Sequence, residues 1–334
     1  MSISDPRAAR LALALDSVPD GRVAVFGPGG GEDLSRLGDG VEVISGWKPD
    51  VDAFAARGVA VQRAPDGRYD LAVVCVPRAR AAAQDLIAQA MEVTDGPVLV
   101  DGAKTNGIDA LLRAARARAA VEAPVAKAHG KLFELHGADR AAFADWREGP
   151  RTLGPGLAAG FVTRAGVFSA DGPDPGSVLL AQALPASLPV RVADLGAGWG
   201  WLGAQVLARE GVAELHLVEA DQASLDCARD NLTDPRVRFH WADARRFQPE
   251  VPLDAVVMNP PFHSDRRGDP GLGAAFIAAA GGMLAPRGDL WMVANRHLPY
   301  EAALAAAFRE VSELPGTPAF KLFHARQPRR PARA

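Results

Sequence analysis

The chain has 334 residues, 48% of them hydrophobic, which is enough for two domains of roughly 100 to 200 residues each. Its formal net charge of −3 argues against a protein coated in basic surface. No apolar run approaches the ~20 residues of a membrane span, and Leu11–Leu15 is too short for a signal peptide. We therefore expect a soluble, cytoplasmic protein.

The first half alternates predicted strands and helices, the pattern of a doubly wound α/β domain. Asp5 can cap a helix that begins at Pro6 and runs to about Ser17. A hairpin around Gly130 is predicted over Val125–Leu135. The other predicted elements are strands at Arg22–Gly27, Val41–Ser45, Asp70–Val76 and Pro97–Asp101, and helices at Glu32–Leu37, Ala79–Met91 and Ile108–Ala120.

The second half repeats this scheme after a predicted linker, Asp145–Gly160, which is rich in Gly, Pro and Arg. We place the domains at 1–150 and 160–328. The predicted strands are Arg191–Leu195, Leu215–Val218, Val237–Trp241, the run that begins at Asp254, Leu290–Ala294 and Ala319–Ala325. The predicted helices are Trp201–Arg209, Gln222–Asn231, Ala274–Leu284 and Glu301–Phe308. The basic tail Arg326–Arg333 is predicted to be disordered.

Two cysteines, Cys75 and Cys227, lie in separate halves of the chain. This arrangement makes a disulfide framework an unfavourable interpretation and suits a reducing compartment. The sequence contains no pattern typical of a metal site, so we predict no bound metal.

The two halves align with each other. Arg22–Gly31 lies over Arg191–Gly200, and Asp70–Arg78 lies over Asp254–Phe262, without gaps. At each position with a predicted role the first copy has lost the polar atoms or the shape: Val25 stands for Asp194, Ser45 for Glu219, Cys75 for Asn259, Val76 for Pro260 and Arg78 for Phe262. We therefore predict that the N-terminal copy is chemically degenerate, with a structural or RNA-holding role.

The stretch Asp254–His263 reads Asp-Ala-Val-Val-Met-Asn-Pro-Pro-Phe-His, an apolar strand that ends in a polar residue and two prolines. Ligands of open α/β sheets bind beyond the carboxyl ends of the strands. The prolines fix the backbone, so two oxygen acceptors and one aromatic ring suit a planar nitrogen that carries two hydrogens. The predicted catalytic residues are Asn259, Pro260, Pro261 and Phe262. This tetrapeptide resembles motif IV of the amino-methylating class I S-adenosylmethionine-dependent methyltransferases.

The turn after the first strand of the second half, Gly196-Ala-Gly-Trp-Gly200, suits S-adenosylmethionine better than NAD, because a dinucleotide fingerprint needs glycine where Trp201 stands. Gly196, Gly198 and Gly200 let the backbone turn towards a ligand at a helix N-terminus. Three acidic residues follow at successive strand ends, and each has a predicted role. These are Asp194 for the methionine ammonium, Glu219 for the ribose diol and Asp243 for the adenine amino group.

Further motifs resemble a narrower family, the ribosomal RNA guanine-N2 methyltransferases, which include methyltransferase C acting on the small ribosomal subunit and methyltransferase G acting on the large one. The motifs that carry this resemblance are Lys104–Gly107, His129–Phe133, Gly166–Ser169 and Asp174–Ser177. The resemblance covers nearly the whole chain. It implies two tandem Rossmann-like methyltransferase domains with a degenerate N-terminal copy, a guanine in ribosomal RNA or the small ribosomal subunit as substrate, and Phe168 and Ser169 in the cofactor pocket. The internal duplication favours a monomer.

Two other functions fit the same residues. A protein glutamine or nucleic-acid adenine N6 methyltransferase uses this motif on a planar amide or amine. A non-catalytic RNA-binding assembly factor built from methyltransferase folds would not bind S-adenosylmethionine. His263, Arg266 and Arg267 are candidate phosphate or substrate contacts beside the motif.

Overall fold

The computed structural model describes residues 5–18, 20–261 and 270–329. The chain divides into two compact units. Unit 1 comprises residues 1–150 and 164–166, and unit 2 comprises residues 151–163 and 167–334. In the described part of the chain, none of the helices combines the length and the apolar character that a membrane span requires.

Unit 1 is built on a seven-stranded sheet whose strands occur in the order β3-β2-β1-β4-β5-β7-β6. Five strands are parallel, and β7 runs antiparallel to both β5 and β6. The strands are β1 Val23–Phe26, β2 Val41–Ile44, β3 Ala60–Gln62, β4 Leu71–Cys75, β5 Pro97–Ala103, β6 Val125–Lys127 and β7 Gly130–His136. The α-helices are α1 Pro6–Ala14, α2 Lys48–Ala56, α3 Arg80–Val93 and α4 Ile108–Arg116.

Unit 1 departs from the sequence prediction in three places. The helix predicted at Glu32–Leu37 is wrong, because only a 3-10 turn forms at Ser35–Leu37. Asp33 accepts a hydrogen bond from the Ser35 amide at 3.0 Å, so the side chain competes with the first α-helical turn. Helix α1 ends at Ala14, before the predicted Ser17, because Leu15 is already extended. Helix α2 and strand β3 were not predicted.

Unit 2 contains a second seven-stranded sheet, in the order β12-β11-β10-β13-β14-β16-β15, and a separate two-stranded sheet formed by β8 and β9. Its strands are β8 Arg151–Thr152, β9 Val162–Thr163, β10 Arg191–Leu195, β11 Glu214–Glu219, β12 Val237–Trp241, β13 Leu253–Met258, β14 Leu284–Asn295, β15 Phe308–Leu314 and β16 Phe320–Pro328. Its helices are α5 Pro175–Ala183, α6 Trp201–Leu207, α7 Gln222–Asn231, α8 Pro270–Met283 and α9 Glu301–Ala307.

Unit 2 also corrects the prediction in three places. Residues Arg326–Pro328, assigned to a disordered tail, belong to β16, which pairs with β14 and β15. Strand β15 and helix α5 were not predicted. The predicted linker Asp145–Gly160 contains β8, which pairs with β9.

The strand order is the same in both units, and this confirms the predicted α/β fold with two tandem domains. Strands β10 and β13 lie at the centre of the unit 2 sheet and are largely buried, which explains why most of their residues are apolar. The carboxyl ends of β10, β11 and β13 therefore meet at one edge of the sheet, and the candidate site lies there.

Candidate functional site

A cleft opens beyond the carboxyl ends of β10 and β13 in unit 2. It brings together the turn after β10, Asn259 at the end of β13, and two segments from before β10. Its lining residues are Phe168, Ser169, Asp174, Ser177, Asp194, Gly196, Ala197, Gly198, Trp199, Trp201, Leu202 and Asn259. Six of the predicted site residues, which are separated by up to 91 positions in the sequence, thus line one cavity; they are Phe168, Ser169, Asp194, Gly196, Gly198 and Asn259.

The glycine turn connects β10 to α6. Gly196, Gly198 and Gly200 have φ angles of 76°, 56° and 89°, in the left-handed region that glycine adopts without strain. A Cβ on Gly200 would lie 3.0 Å from Leu232 and 3.2 Å from Ala228, so this glycine permits close packing against α7. A Cβ on Gly198 would meet none of the described atoms within 4 Å. The absence of a side chain at Gly198 therefore leaves open space in the cleft. Gly200 is not among the residues that line the cleft.

Glu219 ends β11 and holds the glycine turn in place. Its Oε2 accepts a hydrogen bond from the Gly198 amide and its Oε1 one from the Asp221 amide, both at 2.8 Å. The side chain is 8% exposed. Burial raises the pKa of Glu219 to about 7, although both amide hydrogen bonds act in the opposite direction.

Asp194, in β10, is 1% exposed. Its Oδ2 has no hydrogen-bond partner among the described residues. Burial, followed by the neighbouring charge of Glu219, raises the pKa of Asp194 to about 8. A buried carboxylate oxygen without a partner is costly in free energy, and a cationic ligand would supply the missing interaction.

Asp243 follows β12 and does not line the cleft. Arg245 donates to both of its carboxylate oxygens, with Nη2 to Oδ2 at 2.6 Å and Nε to Oδ1 at 2.9 Å. Burial acts to raise the pKa of Asp243, but the hydrogen bonds from Arg245 outweigh it, and the pKa lies below its ordinary value. The carboxylate is thus engaged with Arg245, and its predicted role with adenine stays a prediction.

Asn259 is half-buried at the end of β13. Its Nδ2 donates to Asp174 Oδ2 at 2.8 Å and to Ser177 Oγ at 2.9 Å. Because both acceptors lie on the Nδ2 side of the amide, Oδ1 is the atom that remains to accept from a ligand. Pro260 is buried and Pro261 is exposed. Phe262, His263, Arg266 and Arg267 lie outside the described residues.

Phe168 and Ser169 form one rim of the cleft. The Phe168 carbonyl accepts a hydrogen bond from Trp199 Nε1 at 3.1 Å, which ties the rim to the glycine turn. Ser169 has a φ of 52°, which is unusual for a residue other than glycine. The Phe168 ring is 57% exposed, so an apolar surface is available at the entrance to the cleft.

Sequence reasoning did not assign a role to Asp174 or Ser177. Both line the cleft and both contact Asn259, at separations of 85 and 82 positions in the sequence. The sequence does contain one relevant signal, the pair Asp174-Pro175, because an aspartate followed by proline is typical of a helix start. The same pair occurs at Asp5-Pro6, where a helix was predicted.

Two further features bear on the chemistry of the molecule. Neither Cys75 nor Cys227 forms a disulfide, and both are buried. Among the described residues there is no group of three or more His, Cys, Asp or Glu side chains that is able to hold a metal ion.

Comparison with known proteins places this arrangement in a family. The methyltransferase small domain model matches residues 158–324, half of the chain. The ribosomal RNA large subunit methyltransferase G of Ectopseudomonas mendocina (strain ymp) is 36% identical over 169 residues, which are 49% of this chain and 45% of that protein. The chain thus spans less than half the length of this curated relative.

Two longer matches cover both units. The ribosomal RNA large subunit methyltransferase G of Pseudomonas entomophila (strain L48) is 32% identical over 273 residues, 78% of this chain and 72% of that protein. The structure of a T. Thermophilus 16S rRNA N2 methyltransferase in complex with AdoMet and guanosine matches with a TM-score of 0.78 and 25% identity, over 97% of this chain and 92% of that one. The chain therefore belongs to the methyltransferase small domain family, as a relative of the ribosomal RNA methyltransferases.

Proposed function

We propose that unit 2 is an S-adenosylmethionine-dependent methyltransferase that acts on the exocyclic N2 amine of a guanine in ribosomal RNA. One observation carries this proposal. A single cleft joins the glycine turn and the buried carboxylate of Asp194 to the Asn259 amide, whose Oδ1 is left to accept a hydrogen bond. With these roles, the proposed donor site and the proposed amine acceptor site would lie in one cleft, as methyl transfer to nitrogen requires.

The residues of the cleft fit S-adenosylmethionine, which supplies a methyl group on a cationic sulfonium. The unpartnered Oδ2 of Asp194 suits the methionine ammonium. The open space over Gly198 gives a ligand close access to the backbone. Glu219 does not line the cleft, but it holds the glycine turn through the Gly198 amide, and its remaining acceptor capacity is proposed for the ribose diol. Gly196, Phe168 and Ser169 line the cleft and are proposed cofactor contacts. Gly200 and Asp243 do not line it, and their contacts with the cofactor stay predictions.

The residues after β13 act on the substrate amine. Asn259 Oδ1 and the Pro260 carbonyl accept hydrogen bonds from the two N–H groups of the substrate amine. These bonds favour donation of the nitrogen lone pair towards the methyl group. The step needs position and electrostatic complementarity more than a strong base. Pro261 restricts the backbone, and Phe262 is the proposed platform for the base. A base paired in a helix cannot enter such a cleft, so the substrate must be single-stranded or flipped out.

The class of substrate is inferred from the relatives. Those with the longest alignments act on ribosomal RNA by their names, and the T. Thermophilus protein was solved with guanosine. These relatives include one large-subunit and one 16S enzyme, so the RNA of either ribosomal subunit is a reasonable substrate. We infer a cytoplasmic protein that acts as a monomer, with unit 1 in a structural or RNA-holding role.

Two alternatives remain distinct in their chemistry. Transfer to protein glutamine or to adenine N6 would use the same two acceptors on a different planar nitrogen. A non-catalytic assembly factor would not bind S-adenosylmethionine, although the buried Asp194 carboxyl group, whose Oδ2 has no partner among the described residues, favours a cationic ligand.

Methyl transfer to ribosomal particles separates these functions. Purified protein is incubated with tritiated S-adenosylmethionine and with small or large ribosomal subunits, or their naked RNAs, from cells that lack the corresponding modification. Label in N2-methylguanosine supports the proposal. Label in N6-methyladenosine or in glutamine supports the first alternative. A calorimetric titration without measurable S-adenosylmethionine binding would support the second and refute the proposal.

A further inference from the structure

We propose that Asp174 and Ser177 are positioning residues that orient the Asn259 amide for methyl transfer. This inference rests on the proposed function, because it concerns the group that receives the substrate amine. An amide side chain has two faces of opposite hydrogen-bonding character, and terminal amide torsions have no strong intrinsic preference. Whether the oxygen or the NH₂ group of Asn259 meets the substrate therefore depends on which of the two is held by other residues.

The contacts of Asn259 determine this orientation. Its Nδ2 lies 2.8 Å from Asp174 Oδ2 and 2.9 Å from Ser177 Oγ. A rotation of the amide by 180° would place Oδ1 against the Asp174 carboxylate, two acceptors within hydrogen-bond distance of each other. The carboxylate therefore excludes the flipped amide, and Oδ1 faces away from Asp174 and Ser177.

Asp174 is itself held rigidly. It is the N-cap of α5, and its Oδ2 accepts from the Gly176 amide at 2.8 Å and from the Ser177 amide at 3.2 Å. Pro175 occupies the first turn of the same helix. The first turn of α5 thus fixes both acceptors that hold Asn259, and the start of a helix is coupled to the end of β13.

Unit 1 provides an internal comparison for this pair. The same number of residues separates Asp5 from Arg22 as separates Asp174 from Arg191, so α1 and α5 are equivalent helices. Asp5 caps α1 through the Arg7 amide at 2.8 Å, as Asp174 caps α5. However, Ala8 stands for Ser177 and Cys75 stands for Asn259. Unit 1 thus keeps the aspartate cap although it has no asparagine at the strand end. The serine hydroxyl is present only in unit 2, where Asn259 is also present. Capping alone therefore does not account for Ser177.

Ser177→Ala is the sharpest test, because the cap uses the backbone amide of Ser177 and not its hydroxyl. Alanine is the better helix former, which offsets part of the lost hydrogen bond, so we expect only a small change in thermal stability. One hydrogen bond contributes about 1 kcal/mol, and we expect kcat to fall roughly threefold to tenfold. The dissociation constant for S-adenosylmethionine should stay within twofold. Ser177→Thr, which keeps the hydroxyl, should recover most of kcat.

Ser224→Ala is a matched control. Ser224 also stands three positions after an aspartate N-cap, and its hydroxyl donates to that cap, Asp221, at 2.6 Å. We expect kcat at saturating cofactor to change by less than about twofold. Equal losses of kcat in Ser177→Ala and Ser224→Ala would overturn the inference, as would an unchanged kcat in Ser177→Ala.

A spectroscopic measurement tests the orientation without any activity assay. The chain contains four asparagines, Asn106, Asn231, Asn259 and Asn295, so selective ¹⁵N-asparagine labelling gives four pairs of side-chain amide resonances in the full chain. The Asn259 pair is assigned by its disappearance in Asn259→Ala. Ser177→Ala should shift that pair and leave the Asn106 and Asn295 pairs in place. An unmoved Asn259 pair would overturn the inference, even if methyl transfer to RNA is never detected and the proposed function fails.

A reversal of the hydrogen bond tests the role of Asp174. Asn259→Asp places a second carboxylate against Asp174 and should lower the melting temperature by several degrees. Adding Asp174→Asn restores a donor–acceptor pair and keeps a good N-cap, so most of the loss should be recovered. An Asn259→Asp variant as stable as the parent would refute the contact on which the inference depends.

Discussion

The two glycine turns of this protein have nearly the same sequence but different surroundings. In unit 2 the Gly198 amide donates to Glu219, which ends a strand, and a Cβ on Gly198 would meet open space. In unit 1 the equivalent of Gly198 is Gly29, and a Cβ on it would lie 3.5 Å from Glu32 Oε1. The next residue, Gly30, stands for Trp199, and its amide donates to Asp50 of helix α2 at 2.8 Å. A Cβ on Gly30 would lie 2.6 Å from the Ala53 Cβ. The first turn is therefore covered by its own domain, whereas the second is left open.

The strand ends differ in the same way. Ser45 keeps a small part of the role of Glu219, because its Oγ accepts from the Trp47 amide at 3.2 Å as Glu219 accepts from Asp221. At the end of β5, Asp101 is fully buried and accepts from Arg7 and Arg10 of α1. Burial raises the pKa of Cys75 to about 11, so this thiol stays neutral.

This difference teaches how one fold gains or loses a ligand site. In unit 1 the glycine turn and the buried carboxylate of β5 both have partners within the unit, Asp50 for the turn and two arginines for Asp101. Unit 2 leaves Asp194 Oδ2 without a partner among the described residues and leaves the Asn259 acceptor facing away from Asp174. Asp194 and Asn259, more than the glycines, therefore distinguish the cleft of unit 2 from the corresponding strand ends of unit 1.

The largest expected effect comes from removing the amide. Asn259→Ala should lower kcat by roughly a hundredfold or more, the scale of losing a preorganised polar group that contacts the reacting atoms. The affinity for S-adenosylmethionine should stay within several-fold, because the cap of α5 does not depend on Asn259. Single-turnover methyl transfer and calorimetry measure the two quantities.

Cys75→Ala is the matched control for this change, since Cys75 occupies the equivalent strand end in unit 1. It should leave the rate of methyl transfer unchanged and cost about 1 kcal/mol of stability at most. Comparable rates in Asn259→Ala and the parent would contradict the chemical asymmetry between the two units.

The sequence predicted the strand ends well, because apolar strands that stop at polar residues are local signals. Asp194, Glu219 and Asn259 were placed in this way. The sequence did not predict contacts between residues that are far apart along the chain. The bond from Asn259 to Asp174 joins residues 85 positions apart, and only packing brings them together. Helix α5 was missed because Pro175–Ala183 shows little segregation of polar and apolar residues, and the covering of Gly30 by Ala53 depends on α2, which was also missed.

Two alanine substitutions, one at the open glycine of the unit 2 turn and one at the covered glycine of the unit 1 turn, sharpen the comparison. Gly198→Ala places a methyl group in the open space and forces alanine into a φ of 56°. We expect the dissociation constant for S-adenosylmethionine to rise roughly tenfold, with a stability cost of about 1–2 kcal/mol. Gly30→Ala places its Cβ against Ala53, so overpacking should cost about 1–3 kcal/mol and leave cofactor affinity unchanged.

Chemical denaturation and calorimetry on both variants decide this prediction. A loss of cofactor affinity in Gly30→Ala, equal to that in Gly198→Ala, would show that the turn of unit 1 also receives the ligand. That result would contradict the view that this turn is covered by its own domain.

The smallest expected effect concerns pH. The pKa of Asp194 lies near 8 and that of Glu219 near 7 in the ligand-free protein, whereas an unfolded chain ionises both near 4. A carboxyl whose pKa is raised by folding opposes folding as it ionises, so its contribution to stability falls as pH rises from about 4 to about 8. A cationic ligand favours the ionised carboxylates, so cofactor affinity should rise several-fold between pH 6 and pH 8.

Asp194→Asn separates these two trends, because it removes the charge and keeps the shape of the side chain. Relative to the parent, the variant should gain stability as pH rises from 5 to 8, and it should lose most of the pH dependence of cofactor binding, with the remainder contributed by Glu219. The equivalent residue of unit 1, Val25, is already apolar and fully buried, so unit 1 contributes nothing to either trend at this position. A parent protein whose cofactor affinity is flat from pH 6 to pH 8 would contradict the role of Asp194 as a carboxylate left uncompensated for a cation.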